Sequence, residues 1–148
     1  LIFARGAASA CFTTDKADKF AMRKILNPAA IAPPAADYHH GLLIDRPTRQ
    51  LHMAGQLGER ADGSISDDFS EQARQAWINI KAILAEGGMS VADIVKVTSY
   101  IVGREHISAY EEVHRAAVGA HRPPWTLLLV AGLGSAKYLV EVEATAVQ

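Results

Sequence analysis

Cysteine is almost missing. Cys11 is the only one among 148 residues, so neither an internal disulfide nor a Cys-x-x-Cys or zinc-type spacing can form. A lone thiol fits a reducing, cytoplasmic setting. Long apolar runs are lacking too, the longest falling far short of the ~20 residues that a membrane-spanning helix needs. Neither sign of charge dominates: fifteen basic residues face sixteen acidic ones, and no Lys/Arg-rich block occurs. Nucleic acid is therefore a poor fit as main partner, because such binding rests on neutralising phosphates. Near-zero net charge weakens colloidal repulsion, which is compatible with a closed oligomer. The six histidines show no His-x₃-His or His-Glu-x-x-His spacing, and His39-His40 are merely adjacent, so no metal or other cofactor is implied. Gly132-Leu133-Gly134-Ser135 is not followed by the Lys-Ser/Thr-led helix of a phosphate loop. No Gly-x-Ser-x-Gly elbow marks a serine nucleophile.

What is present reads as one globular domain with a real core. Hydrophobic residues make up 49% and charged residues 21% of the chain, ordinary values for such a protein. Residues 1–21 carry no sustained period and read as a disordered tail, an expression remnant or an over-extended start, with a targeting fragment as the alternative. A folded pattern begins near Met22, and residues 22–148 form the domain. Asn27-Pro28 and Ala32-Pro33-Pro34-Ala35 make an extended approach, since proline fixes φ and pushes its predecessor out of the helical region.

Gly41 to Asp45 and Gln50 to Gln56 then read as two strands around Arg46-Pro47-Thr48-Arg49. Phe69, Ala73, Ala76, Trp77, Ile80, Ile83 and Leu84 recur at helical spacing, capped by Ser66 or Asp67 and stopped by Gly87-Gly88. A short capped turn at Ser90 to Asp93 leads into a β-branched strand, Ile94 to Val102. Ile107, Tyr110, Val113, Ala117 and Val118 mark a second amphipathic helix, closed by Gly119. Trp125 to Ala131 and Tyr138 to Val147 complete the order β-β-α-β-α-β-β. Two helices are too few to cover both faces of a sheet of about five strands, so both should lie on one face.

The last strand carries most of the functional information. Side chains alternate across a strand. Tyr138, Val140, Val142, Ala144 and Ala146 thus form one apolar face, while Leu139, Glu141, Glu143, Thr145 and Val147 share the other. Two acids in the middle of an apolar strand imply either a solvated face or the wall of a polar cavity.

Several stretches together resemble the reactive-intermediate deaminase family (Rid, YjgF-like, once labelled endoribonuclease L-PSP). They are Met53-Ala54-Gly55-Gln56, Gln72-Ala73-Arg74-Gln75, Asn79 to Leu84, Asp93 to Thr98 and Val140-Glu141-Val142-Glu143-Ala144, and the likeness spans roughly residues 25–148. The resemblance implies a chorismate-mutase-like α+β fold and a homotrimer whose helix-free sheet faces close around a central barrel. It places small-molecule sites in the clefts between subunits. It also implies hydrolysis of amino-acid-derived imines and enamines to ammonia and a 2-oxo acid. In that chemistry an arginine after the Pro-rich turn grips the substrate carboxylate, and a glutamate on the last strand positions water and handles protons.

The chain departs from this pattern at the arginine, whose position in Arg122-Pro123-Pro124-Trp125-Thr126 holds Trp125. An indole has one N–H donor and no charge, so it cannot act as a bidentate carboxylate clamp. Ala54 stands where serine is expected, and Glu111 where asparagine is expected. Glu141 remains as the candidate general acid/base; the alternative is a carboxylate satisfied in a subunit contact. Tyr38 matches the tyrosine that walls the cleft. Trp125 reads either as a stacking wall for an apolar or aromatic ligand or as interface packing.

Backbone groups near Thr126 and Leu127 are candidates to polarise the reacting atom. Glu111 would oppose an anionic substrate, or is a solvated helix residue. Arg122 is a weak substitute cation, and Glu143 reads as structural. His106, His114 and His121 read as surface or interface groups, with His114 able to reach the cleft; Gly55 reads as a place where another backbone approaches closely or as a bulge. The favoured function is hydrolysis of a reactive imine or enamine other than the usual carboxylate-bearing ones. The alternative is a non-catalytic, ligand-binding or protein-protecting homotrimer. Ribonuclease activity, suggested by the older family label, finds no basic patch to support it.

Overall fold

The computed structural model describes residues 22–148; the tail reading of residues 1–21 lies outside the described residues. Along the chain run β1 (Met22–Leu26), β2 (Gly41–Asp45), β3 (Gln50–Leu57), α1 (Phe69–Glu86), β4 (Ile94–Val102), α2 (Ile107–Val118), β5 (Trp125–Val130) and β6 (Val140–Val147). The main sheet has the order β3-β6-β4-β5. It is antiparallel except for the parallel β4–β5 pair, whose crossover is α2, as a parallel pair requires a long connection. Both helices pack on one face of this mixed sheet, the α+β arrangement expected.

Two expectations about the strands fail. Met22–Leu26 is a strand, paired antiparallel with Gly41–Asp45, and the two make a separate ribbon, so the main sheet has four strands. The cause lies at the β2–β3 junction. Arg46 takes φ +53°, a left-handed conformation unusual for a non-glycine residue, and Pro47 follows with no N–H to offer a ladder. Strand β2 does not pair with β3, and β1 supplies its hydrogen-bonding partner instead. The ribbon is fastened to the main body by Arg23, whose guanidinium donates to the carbonyls of Ala92 and Val147 and lies 3.4 Å from Asp93.

Helix α1 begins one or two residues later than expected. Asp68 is the cap, its Oδ1 accepting from Glu71 N at 2.8 Å, while Ser66 Oγ accepts from Asp68 N. Such a cap contributes about 1 kcal/mol. Phe69, Ala73, Ala76, Trp77, Ile80 and Leu84 are buried as the period indicates, and Gln72 is buried with them. Its amide is fully used: Nε2 donates to Ser66 O and Lys137 O at 2.8 Å, and Oε1 accepts from Leu139 N at 2.9 Å. One side chain thus ties α1 to the connection between β5 and β6. Gly58 lets this contact close, because a methyl group there would lie 2.5 Å from Gln72 Cα.

Strand β6 is central, and its alternation is as read: Val140, Val142, Ala144 and Ala146 are buried, while Glu141, Glu143 and Thr145 are half-buried. Tyr138 falls just outside the strand and donates to Glu59 Oε2 at 2.8 Å.

Candidate functional site

Beside the free edge of β5 lies a cavity of about 440 Å³ lined by Ala36, Tyr38, Ile107, Glu111, Trp125, Thr126 and Leu127. It gathers all five residues that the sequence assigns to ligand binding. Three elements build it. The β1–β2 connection brings Ala36 and Tyr38, the first turns of α2 bring Ile107 and Glu111 four residues apart on one face, and β5 supplies the floor. A second cavity of about 210 Å³ adjoins it through Ala36, Glu111 and Trp125 and reaches His114, Arg115, Arg122 and Asp37.

Backbone direction refines the role of β5. Val97 N donates to Pro124 O at 3.0 Å. In a parallel ladder that turns the backbone groups of Pro124 and Thr126 toward β4, and those of Trp125 and Leu127 toward the open edge. Of Thr126 and Leu127, it is therefore Leu127 whose backbone groups are turned to a ligand at the open edge. Thr126 turns its hydroxyl to the other sheet face, where it accepts from Lys96 Nζ at 2.5 Å.

Trp125 is held firmly. Its Nε1 donates to Ser99 Oγ at 3.0 Å, and Ser99 shares a 2.6 Å hydrogen bond with the buried Tyr110 hydroxyl. Burial pushes the Tyr110 phenol well above its ordinary value, against the opposing pull of the Ser99 hydrogen bond. The indole stacks on His114 with centroids 4.0 Å apart and planes 15° from parallel. His114 corrects the surface reading: it is 2% exposed, and neither ring nitrogen has a hydrogen-bond partner among the described residues. Burial, reinforced by the charge of Arg115, pulls its pKa down to about 4. The imidazole is neutral at pH 7 and acts as a flat support behind the indole.

Glu141 does not join this group within one chain. It pairs across the sheet with Tyr100 of β4 and Leu57 of β3, on the face away from the helices. Gly55 makes room for it. The β3–β6 register slips between Met53 and Gln56, and a methyl group on Gly55 would lie 1.7 Å from Glu141 Oε1. The bulge expected at Gly55 is present, but the close neighbour is the Glu141 carboxylate and not, as expected, another backbone. Glu143 lies on the same face and accepts from the Tyr100 hydroxyl at 3.2 Å. His52, Lys96, Thr98 and Thr145 surround it. Desolvation, followed by the charge and hydrogen bond of Glu143, raises the Tyr100 phenol above its ordinary value.

The other histidines hold structure. Asn27 Nδ2 donates to His39 Nδ1 at 3.2 Å, Asn27 Oδ1 accepts from His40 N, and His40 Nε2 donates to Ala32 O; these bonds shape the loop that presents Tyr38. His121 Nε2 donates to Ile94 O at 2.6 Å, and His106 stacks on Phe69. Arg122 reaches the smaller cavity, where its guanidinium lies 3.4 Å from Asp37; Arg115 faces the same carboxylate at 3.9 Å. Sequence reasoning overlooked Asp37 and Ser99. Nothing local distinguishes them, since both act through partners distant along the chain.

The profile of the endoribonuclease L-PSP family matches residues 28–148. A Bos taurus protein named 2-iminobutanoate/2-iminopropanoate deaminase is 32% identical over 86% of this chain and 91% of its own length. Among solved structures, YyfB from Yersinia pestis, a conserved Rid-family protein of unknown function, superposes with TM-score 0.75 at 27% identity, covering 85% of this chain and 98% of that one. Escherichia coli TdcF with bound serine superposes with TM-score 0.63 at 30% identity, over 84% and 97% of the two chains.

Proposed function

The chain belongs to the endoribonuclease L-PSP (Rid/YjgF) family, and on that premise we propose that it hydrolyses a reactive imine or enamine. The observation that carries the reading is the gathering of Tyr38, Glu111, Trp125, Thr126 and Leu127 around one cavity, on a scaffold that keeps the last-strand acid Glu141. The names of the cattle deaminase and of serine-bound TdcF support a small-molecule reaction of this type.

The chemistry asked of the site is modest. Water adds to the C=N carbon, a proton moves to nitrogen, and the carbinolamine collapses to a carbonyl compound and ammonia. Glu141 takes the proton from water and delivers it to nitrogen, a role worth roughly 10²–10⁴-fold in rate. The outward backbone groups of Leu127 orient the reacting atoms, and Tyr38 and Trp125 shape the pocket. With Trp125 in place of a guanidinium, the substrate class shifts away from carboxylate-bearing imines.

Because Glu141 and Trp125 occupy opposite sheet faces of one chain, this reading needs Glu141 from a second copy to close the cavity of the first. A homotrimer with intersubunit clefts meets that need, and a cytoplasmic setting belongs to the same reading. Glu141→Gln tests it by ammonia release and sedimentation: turnover should fall with assembly unchanged. Unchanged kinetics would remove Glu141 from the mechanism. Thermal stabilisation by imines without product formation would favour the non-catalytic reading instead.

A further inference from the structure

We propose that the cavity bounded by Tyr38, Glu111 and Trp125 selects the positively charged nitrogen of a small organic cation, such as a protonated imine, an amine or a quaternary ammonium group. As a statement about substrate class it rests on the hydrolase reading; as a statement about binding it stands on charge and geometry.

Among the described residues, Glu111 is the only acidic or basic side chain lining the larger cavity, and it makes no hydrogen bond or ion pair with any of them. Two electron-rich rings, the Tyr38 phenol and the Trp125 indole, share that lining. A cation placed over an aromatic face is attracted by the ring quadrupole, most strongly by indole, and a nearby carboxylate adds direct charge attraction. The indole cannot swing away to avoid the ligand, because the Ser99 hydrogen bond and the His114 stack fix it from behind.

The neighbouring cations do not cancel this preference. Arg115 and Arg122 line the adjoining cavity and not the larger one, and Asp37, which both face, offsets one of their two positive charges. An anionic ligand in the larger cavity would meet Glu111. A cation meets an unpaired carboxylate and two aromatic rings.

The test is isothermal titration of the full chain with choline, with its neutral isostere 3,3-dimethylbutan-1-ol, with 3,3-dimethylbutanoate and with betaine. Choline should bind roughly tenfold or more tightly than the neutral alcohol. Glu111→Gln should erase most of that ratio while affinity for the alcohol changes little, and Trp125→Leu should weaken choline more than the alcohol. Equal affinity for choline and the alcohol, absence of choline binding at millimolar concentration, or tighter binding of the anion or the zwitterion would each overturn the proposal. A tighter anion would also identify Arg115 and Arg122 as the recognising groups. The readout is heat of binding and not ammonia, so loss of the hydrolase reading leaves this result interpretable, and the reverse holds as well.

Discussion

The two faces of the main sheet differ in how they satisfy their polar groups. On the helix-covered face, polar side chains are buried and occupied: Gln72 uses its whole amide, and Ser99 serves Tyr110 and Trp125 together. The exceptions there are His114, with both nitrogens unpartnered among the described residues, and Trp77, whose Nε1 is likewise buried without a partner among them. On the open face, Glu141, Glu143, Tyr100, Lys96 and Thr98 stay half-buried, and Glu141 has no hydrogen-bond partner among the described residues. A closed face converts polarity into rigidity because a lost partner leaves a desolvated group behind. A half-open face keeps its groups available for chemistry or for another surface.

Substitutions on each face should therefore register in different measurements. The largest effect belongs to the open face, where Glu141→Gln should lower turnover by roughly 10²–10⁴-fold with little change in stability. Gly55→Ala should come next. Its methyl group would occupy the place of the Glu141 carboxylate, and displacing a catalytic group by about 1 Å costs on the order of 10²-fold in rate. A steady-state assay beside a melting curve checks both; a large drop in melting temperature would erase the distinction between the faces.

On the covered face, Gln72→Leu should cost about 2–4 kcal/mol in chemical denaturation, since two carbonyls and one N–H lose their partner in the interior. His114→Phe sharpens the comparison through pH. The folded imidazole is held near 4 against an ordinary 6.5. Between these values the unfolded chain takes up a proton that the folded chain refuses, so stability is full above 6.5 and falls as pH drops through that window. The loss approaches about 3 kcal/mol near pH 4. His114→Phe keeps a flat ring against Trp125 and should flatten this limb in urea titrations at pH 4.5 and 7. An unchanged slope would assign the acid sensitivity elsewhere.

The smallest effect returns to the open face. Glu143→Gln should change stability by less than about 1 kcal/mol, while the Tyr100 phenol moves back toward its ordinary pKa in an ultraviolet titration.

Much of this arrangement was legible in the sequence, for reasons that also mark the limit. Periodicity is local, so α1, α2 and the alternation of β6 could be read directly. The five cavity residues came from the family resemblance, and their gathering depends on the fold. Pairing is not local. Met22–Leu26 carries two basic residues in five positions and no alternation, and only its partner Gly41–Asp45 makes it a strand. The separation of Glu141 from Trp125 was equally hidden. Each strand shows its own parity, but which face of β5 matches which face of β6 is decided by register through β4. His114 reads as a surface group because it sits between Val113 and Arg115 just after two glutamates, and only the fold brings Trp77 and Trp125 against it.

The crossover from β4 through α2 into β5 has an evolutionary corollary. Five of the seven residues around the larger cavity, Ile107, Glu111, Trp125, Thr126 and Leu127, belong to that single stretch of chain, whereas Glu141 arrives on a separate one. Under the proposed function, selectivity and reactivity are thus written in different paragraphs of the gene, so a cassette exchange confined to the first would retune what the pocket accepts without disturbing the acid proposed to work on it.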